Sequence, residues 1–144
     1  MLKKTILRVV SKFLIPFVLI FGLYVQWHGD FGPGGGFQAG VIFAAAFILY
    51  GLIFGTALLR RVLPSKVTRS FLVIGVLLYS GVGVFGIIFG GEFLDYSVLA
   101  RDPLKGQHLG ILLIELGVGI TVAASMITIF CAFAGRSPNR LDEF

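Results

Sequence analysis

The sequence predicts an all-α integral membrane protein with four transmembrane helices and both termini in the cytoplasm. Composition is the first of three observations behind this reading: of 144 residues, 57% are hydrophobic and 13% charged. A soluble domain of this length has too little interior to hide that much apolar surface, whereas a bilayer lets lipid-facing side chains stay apolar. The second observation is that the apolar residues gather in four long runs. The third is where the few charges fall between those runs.

The runs are residues 13–27, 37–59, 71–89 and 109–133. Crossing a hydrocarbon core of ~30 Å takes about 20 helical residues. The second and fourth runs are long enough, and the third is adequate. The first reaches span length only by recruiting Ile6 to Lys12, with Arg8 and Lys12 reaching back to the headgroups. Pro16 then falls near the start of that helix, where a missing N–H is best tolerated. The expected helices cover about residues 6–27, 37–59, 71–90 and 108–133, within a single membrane domain over 1–144 that leaves nothing for an extramembrane unit. A basic start followed by an apolar stretch also suits a secretory leader. Tyr24-Val25-Gln26-Trp27-His28 offers no small-residue cleavage site, however, so an uncleaved first helix is expected.

Charge sets the orientation. Lys3, Lys4, Arg8 and Lys12 precede the first helix, Arg60, Arg61, Lys66 and Arg69 separate the second from the third, and Arg136 and Arg140 follow the fourth. That places ten of the twelve basic residues on one side. The other side holds Arg101 and Lys105 against Asp30, Glu92, Asp95 and Asp102. Basic loops stay cytoplasmic, so both termini are expected inside. Tyr24 and Trp27 would then lie at the outer interface.

The same charges exclude other classes. A net charge of +5 would suggest nucleic acid in a soluble domain, but here the basic residues bracket apolar runs and present no folded basic face. The single cysteine, Cys131, lies within an apolar run and reads as a small buried hydrophobe. His28 and His108 have no third ligand at metal spacing, so neither a metal nor a cofactor is expected. No nucleophile–base pair points to an enzyme.

Two places could carry chemistry. From His28 to Gly40 the chain reads His-Gly-Asp-Phe-Gly-Pro-Gly-Gly-Gly-Phe-Gln-Ala-Gly. So much Gly, Pro and Asp cannot continue a helix, and a turn on the outer side is expected. No Gly-Lys-Ser/Thr follows, so this is not a phosphate loop. One reading is a tight turn in which Asp30 or Gln38 caps the next helix. The other is a close-packed contact with a neighbouring subunit, built from His28, Pro33, Gly34, Gly35, Gly36, Phe37 and Gln38 and lining an ion entrance. Either way, at least one of Gly34, Gly35 and Gly36 should hold a positive φ.

The second place is Glu115, the one acid well inside an apolar run. A charged carboxylate at helix centre costs roughly 2.5–3.5 kcal/mol on insertion scales, so such a group faces protein or water. His108 lies seven positions earlier on the same helical face. Glu115, His108 and Asp30 are the candidates for an ion path, with Glu115 expected against a partner protein or a hydrated cavity. The alternative is a neutral Glu115 acting as structural glue between helices. Gly51–Gly55 and Gly86–Gly90 suggest close helix packing, and Thr121, Ser125 and Thr128 are expected to bond their own i−4 carbonyls.

The His28–Gly40 stretch, closing one hydrophobic helix and opening the next, resembles the small B-type subunits of the Mrp-type (Mnh-type) multisubunit Na+/H+ antiporters. The Pro-Gly-Gly-Gly-Phe core at residues 33–37 carries the resemblance most sharply; the basic N-terminus, the four-helix layout and the His108…Glu115 start of the fourth helix extend it over nearly the whole chain. The resemblance implies a hetero-oligomer of hydrophobic subunits that exchanges cytoplasmic Na+ for external H+ in a prokaryotic cell membrane. It also implies large partner subunits akin to the proton-channel subunits of respiratory complex I, and a small subunit that helps form the assembly and the Na+ path. Related subunits occur in redox-driven, membrane-bound hydrogenase-like complexes. A stand-alone channel and a purely structural subunit are the remaining alternatives.

Overall fold

The computed structural model describes residues 2–29 and 32–135, with side chains from Thr5 onward. Within these residues the chain forms five α-helices: α1 (Leu2–His28), α2 (Gly36–Phe54), α3 (Thr56–Val62), α4 (Ser65–Ile88) and α5 (Pro103–Ala134). A short 3-10 turn at Tyr96–Leu99 lies between the last two. Four of the helices, α1, α2, α4 and α5, are long and apolar enough to cross a membrane, which makes the fold an all-α membrane architecture.

Four helix ends differ from the sequence expectation, the first being the start of α1 at Leu2 rather than about residue 6. The second apolar run does not continue unbroken to residue 59. Gly55 takes φ 94°, accessible to glycine without strain, and breaks the helix into α2 and α3. The third helix begins at Ser65, directly after Pro64, rather than at residue 71. The fourth begins at Pro103, where Asp102 caps it by accepting from the Leu104 N–H at 3.2 Å.

The four long helices pack in the order α1–α2–α5–α4, with α1 and α4 at the two ends of the row. Glycine sets the closeness of the two central contacts. A Cβ at Gly36 of α2 would overlap the Glu115 carbonyl oxygen, and one at Gly40 would stand 2.6 Å from the Gly119 carbonyl oxygen. On the other side of α5, a Cβ at Gly117 would stand 3.0 Å from both the Gly75 carbonyl oxygen and the Tyr79 nitrogen. Small residues bring the backbones together because helices in lipid associate through packing rather than hydrophobic exclusion. The two GxxxG pairs divide their labour. Gly51 and Gly86 are buried, while Gly55 and Gly90 supply positive φ at chain breaks.

One end of the row is basic. Lys12 Nζ sits 5.7 Å over the Phe54 ring, and Arg60 Nη2 donates to the Cys131 carbonyl at 3.2 Å. Beneath it lies the core cluster of Ala44, Leu59, Ile127 and Cys131, in which Leu59 is fully buried. Cys131 is thus the small buried hydrophobe expected of it. At the opposite end, the segment between α4 and α5 folds down onto them: the Tyr96 ring takes the space beside Gly110, and the Phe93 ring that beside Gly83.

The helices are unequal in reach, and this positions the site. Gly36, which opens α2, lies against Glu115, yet α5 starts twelve residues earlier at Pro103, about 18 Å further from the basic end. On α4, the residues facing Gly117 are Gly75 and Tyr79, near the middle of that helix. The turn between α1 and α2 is therefore recessed to about the midpoint of the α4–α5 pair. Trp27, exposed at the end of α1, is set back with it relative to the Pro103 end of α5.

Candidate functional site

The recessed turn is where α1 ends and α2 begins, and Glu115 closes it from the side of α5. The turn's backbone bonds to itself and to α1: the Gly32 N–H donates to the His28 carbonyl at 3.1 Å, and the Gly35 N–H to the Val25 carbonyl at 3.2 Å. Gly35 holds φ 121°, a conformation that side chains other than glycine rarely adopt. A Cβ at Gly34 would stand 2.8 Å from the Val25 carbonyl oxygen, so the turn folds tightly back over the last turn of α1. The glycines are there for both reasons, backbone conformation and close approach.

The half-buried Glu115 side chain lies in the space this economy leaves. A Cβ at Gly29 would stand 2.6 and 2.7 Å from the two Glu115 carboxylate oxygens, and one at Gly35 would stand 3.1 Å from Oε1. The carboxylate thus rests directly on bare backbone from both arms of the turn. It lies between the C-terminal end of α1 and the N-terminal end of α2, whose helix dipole favours a negative charge. Gly35, the N-cap of α2, provides no side-chain cap of its own.

The remaining sequence candidates distribute around this centre. His108 is exposed and lies about 10 Å along α5 from Glu115 by helical rise, two turns nearer the Pro103 end. Asp30 lies outside the described residues. The His28 ring stacks on Tyr24, with centroids 5.0 Å apart, and a Cβ at Gly32 would stand 3.1 Å from His28 Nε2. Pro33, Phe37 and Gln38 turn away from α5 and are exposed on the far side of the α1–α2 pair. Thr121, Ser125 and Thr128 each donate to the carbonyl four residues back at 2.7 Å, and so close their own hydrogen bonds as expected.

Sequence reasoning passed over Gln26. It is 5% exposed, and its Nε2 has no hydrogen-bond partner among the described residues. A Cβ at Gly119 would stand 2.8 Å from its Oε1. Gln26 and Trp27 head an apolar groove of about 310 Å³ that passes Phe43 and Phe47 and reaches Thr68 on α4. The available signal was a lone amide in the apolar run of residues 13–27, one turn before the glycine turn.

Four helices long and apolar enough to cross a membrane, packed through glycine contacts about a recessed turn that Glu115 closes, define a multi-pass membrane protein. Residues 6–128 match the family model described as a domain related to the MnhB subunit of Na+/H+ antiporter. The chain is 36% identical over 133 residues to a Staphylococcus aureus (strain Newman) protein named "Putative antiporter subunit mnhB2", covering 90% of this chain and 94% of that one. It is 35% identical over 133 residues, with the same coverage of each chain, to the protein of the same name in Staphylococcus haemolyticus (strain JCSC1435). The chain belongs to the MnhB family, the small membrane subunits of multisubunit Na+/H+ antiporters of prokaryotes.

Proposed function

We propose that this chain forms part of the cation path in an antiporter exchanging cytoplasmic Na+ for external H+, with Glu115 as the group that meets the moving ion. The observation that carries the reading is the placement of the Glu115 carboxylate on the bare backbone of Gly29 and Gly35, recessed below the ends of α4 and α5. An acid at this depth must be protonated, paired or wetted. Carbonyls at a helix C-terminus and a carboxylate can together replace water around a small cation. His108, two turns outward, would line the approach from outside, and Asp30, next to Gly29 in sequence, remains a candidate for the same path.

The orientation belongs to the same proposal. The basic end, with Lys12, Arg60, Arg61, Lys66 and Arg69, faces the cytoplasm, and the recessed turn opens outward. The larger hydrophobic subunits related to the complex I proton channels would supply the charged relays that this chain does not contain.

A second reading is favoured by the same contact. A carboxylate wedged between Gly29 and Gly35 also pins the turn, and Glu115 could serve assembly alone. Comparing Glu115→Gln with Glu115→Ala in the assembled antiporter separates the two. The amide keeps the shape and can hydrogen-bond, but it cannot carry a charge or a proton. Loss of exchange in both variants with assembly intact in Glu115→Gln supports the ion path. Normal exchange by Glu115→Gln supports the pin.

A further inference from the structure

Gln26 is a buried polar side chain whose needs the fold leaves unmet. It is 5% exposed, and its Nε2 is buried with no hydrogen-bond partner among the described residues. Folded proteins leave few buried amides unpaired, and one that persists points to a water or an ion that belongs beside it. Lipid does not answer for it, because the atom lies within the chain itself.

The surroundings indicate where that occupant sits. Gln26 Oε1 stands 2.8 Å from the position a Cβ on Gly119 would take, and the Gly36 carbonyl oxygen stands 3.1 Å from the same position. Two oxygens therefore face the bare side of Gly119. The Glu115 carboxylate is one turn away on both helices. Gly119 follows Glu115 by four residues on α5, and Gly29, against which the carboxylate rests, follows Gln26 by three. By helical rise the two levels are about 4.5–6 Å apart, a span that one small cation or one water bridges. In the other direction, the groove that Gln26 borders presents apolar and aromatic side chains as far as Thr68, whose hydroxyl already donates to the Ser65 carbonyl.

An amide suits a site whose occupant alternates. Its carbonyl oxygen can ligate a hard cation, and its amino group can donate to a water or a carboxylate once the cation has left. A half-turn of the amide exchanges the two ends, and neither state changes its charge. A proton carried on a carboxylate has no need of a second oxygen ligand, whereas a Na+ stripped of water does.

We propose that Gln26 is a second side-chain ligand of the cation path, binding Na+ through its carbonyl beside Glu115 and favouring Na+ over H+ at their shared site. When the cation is gone, the amino group holds the water that replaces it. This rests on the reading that Glu115 meets the moving ion. It adds to that reading a neutral ligand, one turn nearer the basic end of the bundle.

The test is Na+/H+ exchange by the complete antiporter in membrane vesicles carrying Gln26→Met, which keeps the length of the side chain and removes both polar ends of the amide. The Na+ concentration for half-maximal exchange is expected to rise roughly tenfold, as loss of one good ligand implies, with a smaller change in the maximal rate. The yield and thermal midpoint of the assembled complex should be unchanged or raised, because an unpaired buried amide has been removed. An unchanged Na+ dependence in Gln26→Met would overturn the proposal. So would loss of the assembled complex, which would make the amide a clamp between helices. Glu115→Gln is measured in parallel. Wild-type exchange in that variant removes the reading of Glu115 itself, whereas loss of exchange there, with normal Na+ dependence in Gln26→Met, removes only the role given to Gln26.

Discussion

A carboxylate oxygen of Glu115 occupies the space that a side chain on Gly29 would need, since a Cβ there would stand 2.6 Å from Oε2. The intramembrane acid and the glycine turn are thus a single construction, although 86 positions separate the two residues in sequence. Bare backbone lets the carboxylate in, and the carboxylate fills what the absent side chains leave.

Substitutions in the turn should therefore fail in a graded order. Gly36→Ala collides with the Glu115 backbone, which cannot move without shifting α5, and Gly35→Val adds strain at φ 121°. Each should cost roughly 1–3 kcal/mol or more, as overpacking of a close contact does. Gly81→Ala, on α4 with nothing within 4 Å, should be neutral or slightly stabilising. The yield of assembled complex and its thermal midpoint in detergent give the ranking. Equal yields for Gly36→Ala and Gly81→Ala would refute the close-approach account.

Much of this architecture is legible in the sequence, because a membrane helix declares itself by length and hydropathy. The four spans, the positive φ among Gly34–Gly36 and the self-bonded hydroxyls of α5 all follow from local rules. The start of α5 was obscured by Lys105, Gln107 and His108, polar residues on a helix that runs beyond the apolar stretch; Asp102-Pro103 was the better signal. The depth of the turn was not legible. It depends on which residues of α5 meet Gly36 and Gly40, a matter of tertiary register that no local pattern encodes. The same register hides the burial of Gln26 and the contact between Glu115 and the turn.

Orientation is predicted by the basic end. Reporter fusions after Arg140 should be active on the cytoplasmic side, and those within residues 95–105 should report the exterior. A C-terminal fusion active outside would reverse the side assigned to the recessed turn.

The segment between α4 and α5 should respond to acid in a defined direction. The Ser97 hydroxyl and N–H both donate to the Asp95 carboxylate, and these bonds hold its pKa below the ordinary 3.8. A carboxyl lowered by folding adds stability above its ordinary pKa, and that contribution is lost as pH falls through the lowered value. Ser97→Ala should raise the Asp95 pKa towards 3.8, so that the turn loosens at a higher pH than in the wild type. Carboxyl chemical shifts of Asp95 followed through an acid titration test this, and an unchanged midpoint in Ser97→Ala would contradict it.

The account turns on whether Glu115 meets the moving ion. The most direct measurement is Na+-driven proton movement in vesicles that carry the complete antiporter with Glu115→Gln, at matched amounts of assembled complex and over a range of pH. The account predicts a loss of exchange of roughly tenfold or more, as expected when a group worth over about 1.4 kcal/mol in the rate-limiting step is removed. Assembly should be unchanged, because the amide fills the same space beside Gly29 and Gly35. A variant that assembles fully and exchanges Na+ for H+ at the wild-type rate at every pH would contradict it.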